Sequence, residues 1–142
     1  NWEELKRKEK GQATNTDALD AVARSLPALW RAEKVQKKAK KAGFDWPDIS
    51  GALDKLSEEL EELKTAVAQG TNVEEELGDL LFSAVNVSRF LKADPEVALG
   101  KATDKFISRF AKVEALAAAQ NQAMEGMTLE ELDKLWERAK ET

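Results

Sequence analysis

The residue types best suited to chemistry fall in two short acidic stretches. The first is Lys55-Leu56-Ser57-Glu58-Glu59-Leu60-Glu61-Glu62-Leu63, and the second is Glu74-Glu75-Glu76-Leu77-Gly78-Asp79-Leu80-Leu81-Phe82. Each holds a carboxylate pair at i and i+3, Glu59 with Glu62 and Glu76 with Asp79, a spacing that puts both members on one side of a helix. Four carboxylates on facing helices repel one another unless a positive charge sits among them. A hard divalent cation such as magnesium is the simplest such charge. The plainer alternative is a solvated face, because most Glu runs on helices of a Glu- and Lys-rich chain are only that. Spacing alone leaves both open.

The elements that must position these acids are two helices joined by Gly70-Thr71-Asn72. So short a connection makes them antiparallel neighbours. The first runs from about Pro47 to Ala68, with Ile49, Leu53, Leu56, Leu60, Leu63 and Val67 as its apolar stripe at about 100° per residue. Glu59 lies at the edge of that stripe, Glu62 lies further round on the same side, and Glu58 and Glu61 point away. The second helix is apolar through most of its circumference, which is the pattern of a buried helix. Yet Glu76, Asp79, Ser83 and Asn86 share one face within about 80°. Buried carboxylates without partners are costly, so that face must meet cations, donors or a wet cleft. This polar face on an apolar helix favours the metal. Gly78 in mid-helix costs about 1 kcal/mol against alanine, and close approach of a backbone or ligand would explain it. Thr71 with Glu74, or Asn72 with Glu75, makes a capping box for the second helix, so one of these acids serves the helix end.

Composition narrows the chemistry. The 142 residues suffice for one core and carry a net charge of −5, which argues against an extended nucleic-acid footprint. There is no Cys, His or Tyr. Thiolate and imidazole metal sites, disulfides and a Ser-His triad are therefore excluded, and a metal here must be held by oxygen, which favours magnesium or manganese. With no membrane-length apolar run and no secretory pattern, a cytoplasmic protein is expected.

The rest of the chain reads as helices too. Trp2-Glu3-Glu4-Leu5-Lys6 echoes Trp136-Glu137-Arg138-Ala139-Lys140, so the start reads as the tail of a preceding copy of the domain, with residues 12–26 as a polar linker. Pro27 opens a helix that Gly43 ends, with lysines crowding its later part. Trp46 precedes a proline in a compact loop and is expected to plug packing. Asp94-Pro95-Glu96 starts a helix to about Gln120 with a core face of Leu99, Ala102, Phe106, Phe110, Val113 and Ala117. Beside that face Lys101, Lys105, Ser108, Arg109 and Lys112 span about 100° of arc, and their position next to the core suits phosphate binding. Thr128 with Glu131 caps a last helix. No Gly-rich phosphate loop and no strand pattern is present, which excludes the P-loop and Rossmann folds.

Together these residues resemble a known family. Glu58-Glu59-x-x-Glu62 followed by Glu76-x-x-Asp79 is similar to the signature of the MazG nucleoside triphosphate pyrophosphohydrolases. Ala28-Leu29-Trp30-Arg31-Ala32, Gly43-Phe44-Asp45-Trp46, Glu75-Glu76-Leu77-Gly78-Asp79-Leu80-Leu81-Phe82, Lys105-Phe106-x-x-Arg109-Phe110 and Leu135-Trp136 extend the resemblance over residues 27–142. It is closest to a carboxy-terminal MazG domain, with residues 1–26 as the tail of a preceding repeat plus linker. The segment between Glu62 and Glu76 is shorter than in enterobacterial relatives.

The resemblance implies an all-α fold with a four-helix-bundle-type core, assembled as a homodimer. It implies magnesium-dependent cleavage of nucleoside and deoxynucleoside triphosphates to monophosphate and pyrophosphate. By position, Glu59, Glu62, Glu76 and Asp79 would be metal ligands, with Glu58 supporting them or orienting water. Lys55, Asn72 and Glu75 would flank the nucleotide, Asn86, Lys105 and Arg109 would hold phosphate oxygens, and Trp136 would meet the base. Two other readings stay open: a narrower dCTP, dUTP or phosphoribosyl-ATP pyrophosphohydrolase, and a non-catalytic helical dimerisation module.

Overall fold

A computed structural model describes residues 1–11 and 13–142, and every regular element among them is helical. The helices are α1 (Trp2–Glu9), α2 (Asn15–Asp20), α3 (Ala28–Lys41), α4 (Ile49–Gln69), α5 (Val73–Phe90), α6 (Pro95–Ala119) and α7 (Leu129–Lys140), with a 3₁₀ turn at Met124–Gly126. The chain divides into two compact units, Asn1–Val97 and Ala98–Thr142. No helix among the described residues is long and apolar enough to cross a membrane.

Local chemistry sets the helix ends in the first unit. Within the stretch expected as linker, Thr14 and Asp17 cap α2 reciprocally, and Ala18 and Val22 are buried. Gly43, at φ 89°, follows the end of α3 in a left-handed conformation that glycine adopts without strain. Asp48 caps α4 through the Ser50 amide, and the left-handed Gly70 closes it. Asn72 then opens α5 at φ 57° without a side-chain cap. Neither expected capping box forms there, which leaves Glu74 and Glu75 uncommitted to the helix end. Asp94 accepts from the Glu96 and Val97 amides, as its place before Pro95 predicts, and also from the Trp30 indole at 2.7 Å.

The largest packing contact is between α4 and α5, with α3 laid against α5 and α2 against α3. The buried face of α4 is Ala52, Leu56, Glu59, Leu63 and Ala66, not the stripe with the most leucines. Leu53, Leu60 and Val67 remain exposed. The covered face is therefore rotated from the expected stripe by roughly 60°, a little over half of one residue's turn, and Glu59 lies within the covered face instead of at its edge. On α5, Glu76, Leu80, Ser83 and Val87 share one covered face and Val85 is buried on the opposite side, while Leu77, Leu81 and Phe82 stay exposed. The expected all-round burial of α5 is thus not supplied within this chain. The rotation has a packing reason: Ala52, Ala66 and Ser83 are small and let the two backbones approach, whereas the branched side chains would hold them apart. Nothing among the described residues makes the expected close approach at Gly78, where a Cβ would meet no atom within 4 Å. The crowded glycine is Gly51, whose Cβ would fall 2.8 Å from the Trp46 indole; the ring lies on the start of α4 but stays 41% exposed, so it is not the buried plug expected.

In the second unit, Val113 and Ala117 of α6 pack against Leu135 and Ala139 of α7, flanked by Leu116, Leu132, Trp136 and the two methionines. Thr128 and Glu131 form the expected capping box at the start of α7. Only the later part of the expected α6 core face is covered: Leu99, Phe106 and Phe110 are exposed.

Candidate functional site

The α4–α5 contact places Glu59 and Glu76 at the centre of the two covered faces. Ligand oxygens of Glu59, Glu62 and Glu76 all lie within 4.8 Å of one another. Glu59 is 5% exposed, Glu76 is half-buried and Glu62 is exposed. One oxygen of Glu59 and one of Glu76, each Oε2, is buried without a hydrogen-bond partner. Orphaned buried carboxylate oxygens are expensive in a folded chain. Three carboxylate oxygens this close are the donors that would hold one hard cation. The all-oxygen donor set and the two orphans therefore fit a hard divalent metal.

The electrostatics agree with crowding. The Glu62 carboxyl is pushed above its ordinary value, first because a proton held against Glu59 makes a hydrogen bond there, then by the charge of Glu59, desolvation and the charge of Glu76. The one cation on the cluster among the described residues is Lys55, with Nζ 3.1 Å from Glu59 and 3.3 Å from Glu58. These hydrogen bonds, to Glu59 first, hold the Lys55 ammonium above its usual value. Glu62 and Glu76 make no ion pair there. A cleft of about 480 Å³ opens beside the acids. Glu58, Glu61, Glu62 and Glu76 line one side of it, and Thr65, Gln69, Thr71 and Asn72 carry it to the α4–α5 connection.

The remaining candidates are distributed as follows. Asp79 is exposed on α5 and is not among the converging oxygens. Glu75 is exposed, while Asn72 lines the cleft. Asn86 accepts from the guanidinium of Arg89. Lys105, Arg109 and Trp136 belong to the second unit, where the Arg109 guanidinium sits 5.9 Å from the Trp136 ring and Phe106 packs on that ring at 5.3 Å. Lys105 is exposed beside them.

A second polar cluster had no signal in the spacing. Arg89 of α5 binds Asp45 through both terminal nitrogens, at 2.7 and 3.2 Å, and donates from Nε to Gln36 at 3.1 Å and to Asn86 at 3.2 Å. Gln36 in turn donates to the Phe82 carbonyl at 3.0 Å. Burial alone would raise the Asp45 carboxyl, but hydrogen bonds from Arg89 and the Trp46 amide, with the Arg89 charge, hold it below the usual carboxylate range. This network ties α3 and the α3–α4 loop to α5.

Comparison with known proteins falls on the same residues. Residues 49–114 match the MazG nucleotide pyrophosphohydrolase domain. The nucleoside triphosphate pyrophosphohydrolase of Escherichia coli (strain K12) is 43% identical over 98% of this chain and 54% of its own length. The nucleoside triphosphate pyrophosphohydrolase/pyrophosphatase MazG of Thermotoga maritima is 46% identical over 98% of this chain and 54% of its own length. An uncharacterized protein of Bacillus subtilis is 46% identical over the whole of this chain and 29% of its own length. The chain thus spans about half the length of the two curated pyrophosphohydrolases it matches. The converging glutamates and the cleft beside them lie inside the segment that matches the MazG nucleotide pyrophosphohydrolase domain.

Proposed function

We propose that this chain hydrolyses nucleoside and deoxynucleoside triphosphates to the monophosphate and pyrophosphate; two of its relatives are named nucleoside triphosphate pyrophosphohydrolases. The observation that carries the proposal is the pair of orphaned buried oxygens on Glu59 and Glu76 beside Glu62. Glu59, Glu62, Glu76 and Asp79 are the residues that would hold magnesium. When bound, the metal supplies charge neutralisation for the triphosphate and Lewis-acid polarisation at the α-phosphorus. Glu58 orients the attacking water. As water adds to the α-phosphorus and gives up its proton to solvent, the bond to the β,γ-phosphates breaks and pyrophosphate leaves; Lys105 and Arg109 are the residues that the resemblance gives for phosphate contact. No covalent nucleophile is required. By the resemblance, Asn72 and Glu75 flank the nucleotide, Asn86 contacts phosphate and Trp136 meets the base.

Homodimerisation of a four-helix-bundle-type core is part of the same proposal. Leu53, Leu60 and Val67 of α4 and Leu77, Leu81 and Phe82 of α5 are large apolar groups left exposed by their own chain, which supports a second copy covering them. The role that follows is nucleotide-pool housekeeping in the cytoplasm. The test is a panel of ribo- and deoxyribonucleoside triphosphates, with and without magnesium, read by pyrophosphate and monophosphate release. Magnesium-dependent release of both in equal amounts is expected. Orthophosphate as the product, or no turnover with any triphosphate, would overturn the activity, and turnover without added metal would overturn the metal's part in it.

A further inference from the structure

Lys55 stands one helical turn before Glu59 and is the only cation among the described residues to reach the acid cluster. Its partner is the most buried carboxylate of the chain's candidate ligands, and its head group occupies the Oε1 side while Oε2 stays unpaired. Lys55 itself is 37% exposed and also touches Glu58, which is 58% exposed. The lysine therefore has somewhere to go. Its flexible stem can carry the ammonium off Glu59 with no backbone movement, keeping Glu58 or taking a new anion from the cleft.

We infer that Lys55 is a resident counter-ion, which neutralises Glu59 until a divalent cation displaces it and which then turns to a phosphate of the incoming nucleotide. The inference rests on the metal reading of the cluster and adds a coupling to it. An ammonium 3.1 Å from a Glu59 oxygen repels a divalent cation brought to the same carboxylate, so metal binding must move it. Once moved, it is a free donor beside the cleft. Metal and triphosphate then favour each other's binding, and by linkage the two effects are equal in size. Lys55 thus offsets the charge of Glu59 before the metal arrives and touches the nucleotide afterwards, without acting on the reacting bond.

The experiment is calorimetric titration of magnesium chloride into the nucleotide-free full chain, as wild type, Lys55→Met and Lys55→Arg, followed by titration of a non-hydrolysable triphosphate with and without magnesium. Lys55→Met should bind magnesium more tightly, by roughly two- to fivefold, the scale of one partly exposed charge pair. It should bind the triphosphate more weakly and lose most of the gain that magnesium gives the wild type. Lys55→Arg keeps the charge and should stay close to wild type in metal affinity. If Lys55→Met is less stable without metal, magnesium should raise its melting temperature by more than it raises that of wild type. Equal or weaker magnesium binding by Lys55→Met, or an equal or smaller thermal gain, overturns the counter-ion role and leaves the metal site standing. A wild type that binds no divalent cation overturns both.

Discussion

Helix α5 carries two buried polar clusters about three turns apart, and they are built on opposite principles. Around Arg89, the strong donors and acceptors meet: the guanidinium is shared among Asp45, Gln36 and Asn86, and Gln36 closes on the Phe82 carbonyl. Around Glu76, three carboxylates converge with one lysine among them, and two buried oxygens have no partner. A satisfied network holds elements in place and asks for nothing more. An unsatisfied one is stable only at a cost, and a ligand that removes the cost binds there. The first cluster is read as the clamp that fixes α5 against α3, and the second as the place for chemistry.

The sharpest way to break this contrast is to exchange the consequences. Glu62 is exposed, so Glu62→Ala should leave the helical content and melting temperature near wild type. It should lower pyrophosphate release by about 10³-fold or more, as expected when a group that organises transition-state charge is lost. Wild-type turnover by this variant would remove Glu62 from the site. Arg89→Met should do the reverse. Arg89 and Asp45 side chains are only 6% and 11% exposed, and removing one member of such a pair costs about 3–5 kcal/mol by leaving the other charge buried alone. Denaturant unfolding measures that loss. The double variant Arg89→Met, Asp45→Leu should recover most of it, while turnover per folded molecule stays within a few-fold of wild type. A stable Arg89→Met protein that has lost turnover would make the clamp part of the catalytic machinery.

Acid should erase the difference between wild type and Arg89→Met. In the wild type the Asp45 carboxyl is held below its ordinary value, so the unfolded chain takes up the proton first as pH falls. The stabilisation is complete above the ordinary aspartate range and is lost as pH drops through the lower, folded value. In Arg89→Met the same carboxyl is buried without its cation, and protonation relieves it. The stability gap, widest near neutrality, should therefore narrow below about pH 4. A constant gap down to pH 3 would show that the ion pair is not what Arg89 contributes.

How much of this could be read from residue order depends on how far apart the interacting groups lie. Capping boxes and proline starts act within four residues, and Thr128 with Glu131 and Asp94-Pro95-Glu96 appear where their spacing puts them. The convergence of Glu59 and Glu62 with Glu76 was legible because the helix period and one short connection bring them together. The clamp was not: Asp45 and Gln36 lie 44 and 53 residues from Arg89, and no periodicity links them. The rotation of α4 was hidden for another reason. Hydrophobicity ranks leucine above alanine, but close helix contact is governed by size, and Ala52 and Ala66 went inward while Leu53, Leu60 and Val67 stayed out. The uncapped start of α5 shows the converse, since Thr71 and Asn72 have the right types but the chain enters through a left-handed residue that aims neither side chain at the helix end.

The smallest expected effect bears most directly on what the acid cluster lacks. Gly78 lies on α5 between Glu76 and Asp79, in helical backbone, with open space where its Cβ would be. Within this chain alone, Gly78→Ala should raise stability by about 0.5–1 kcal/mol, because alanine loses less conformational freedom in a helix than glycine. Gly51→Ala is the control, since the Trp46 indole at 2.8 Å must shift to admit the methyl, and indole fluorescence should report it. If Gly78→Ala stabilises the protein and keeps its turnover, the glycine has no role in the site. If it instead weakens magnesium-dependent nucleotide binding, or changes the oligomeric state, while the folded chain stays intact, then a ligand or a second copy approaches α5 at that point. The open space beside the unsatisfied cluster would then be the space that something else fills.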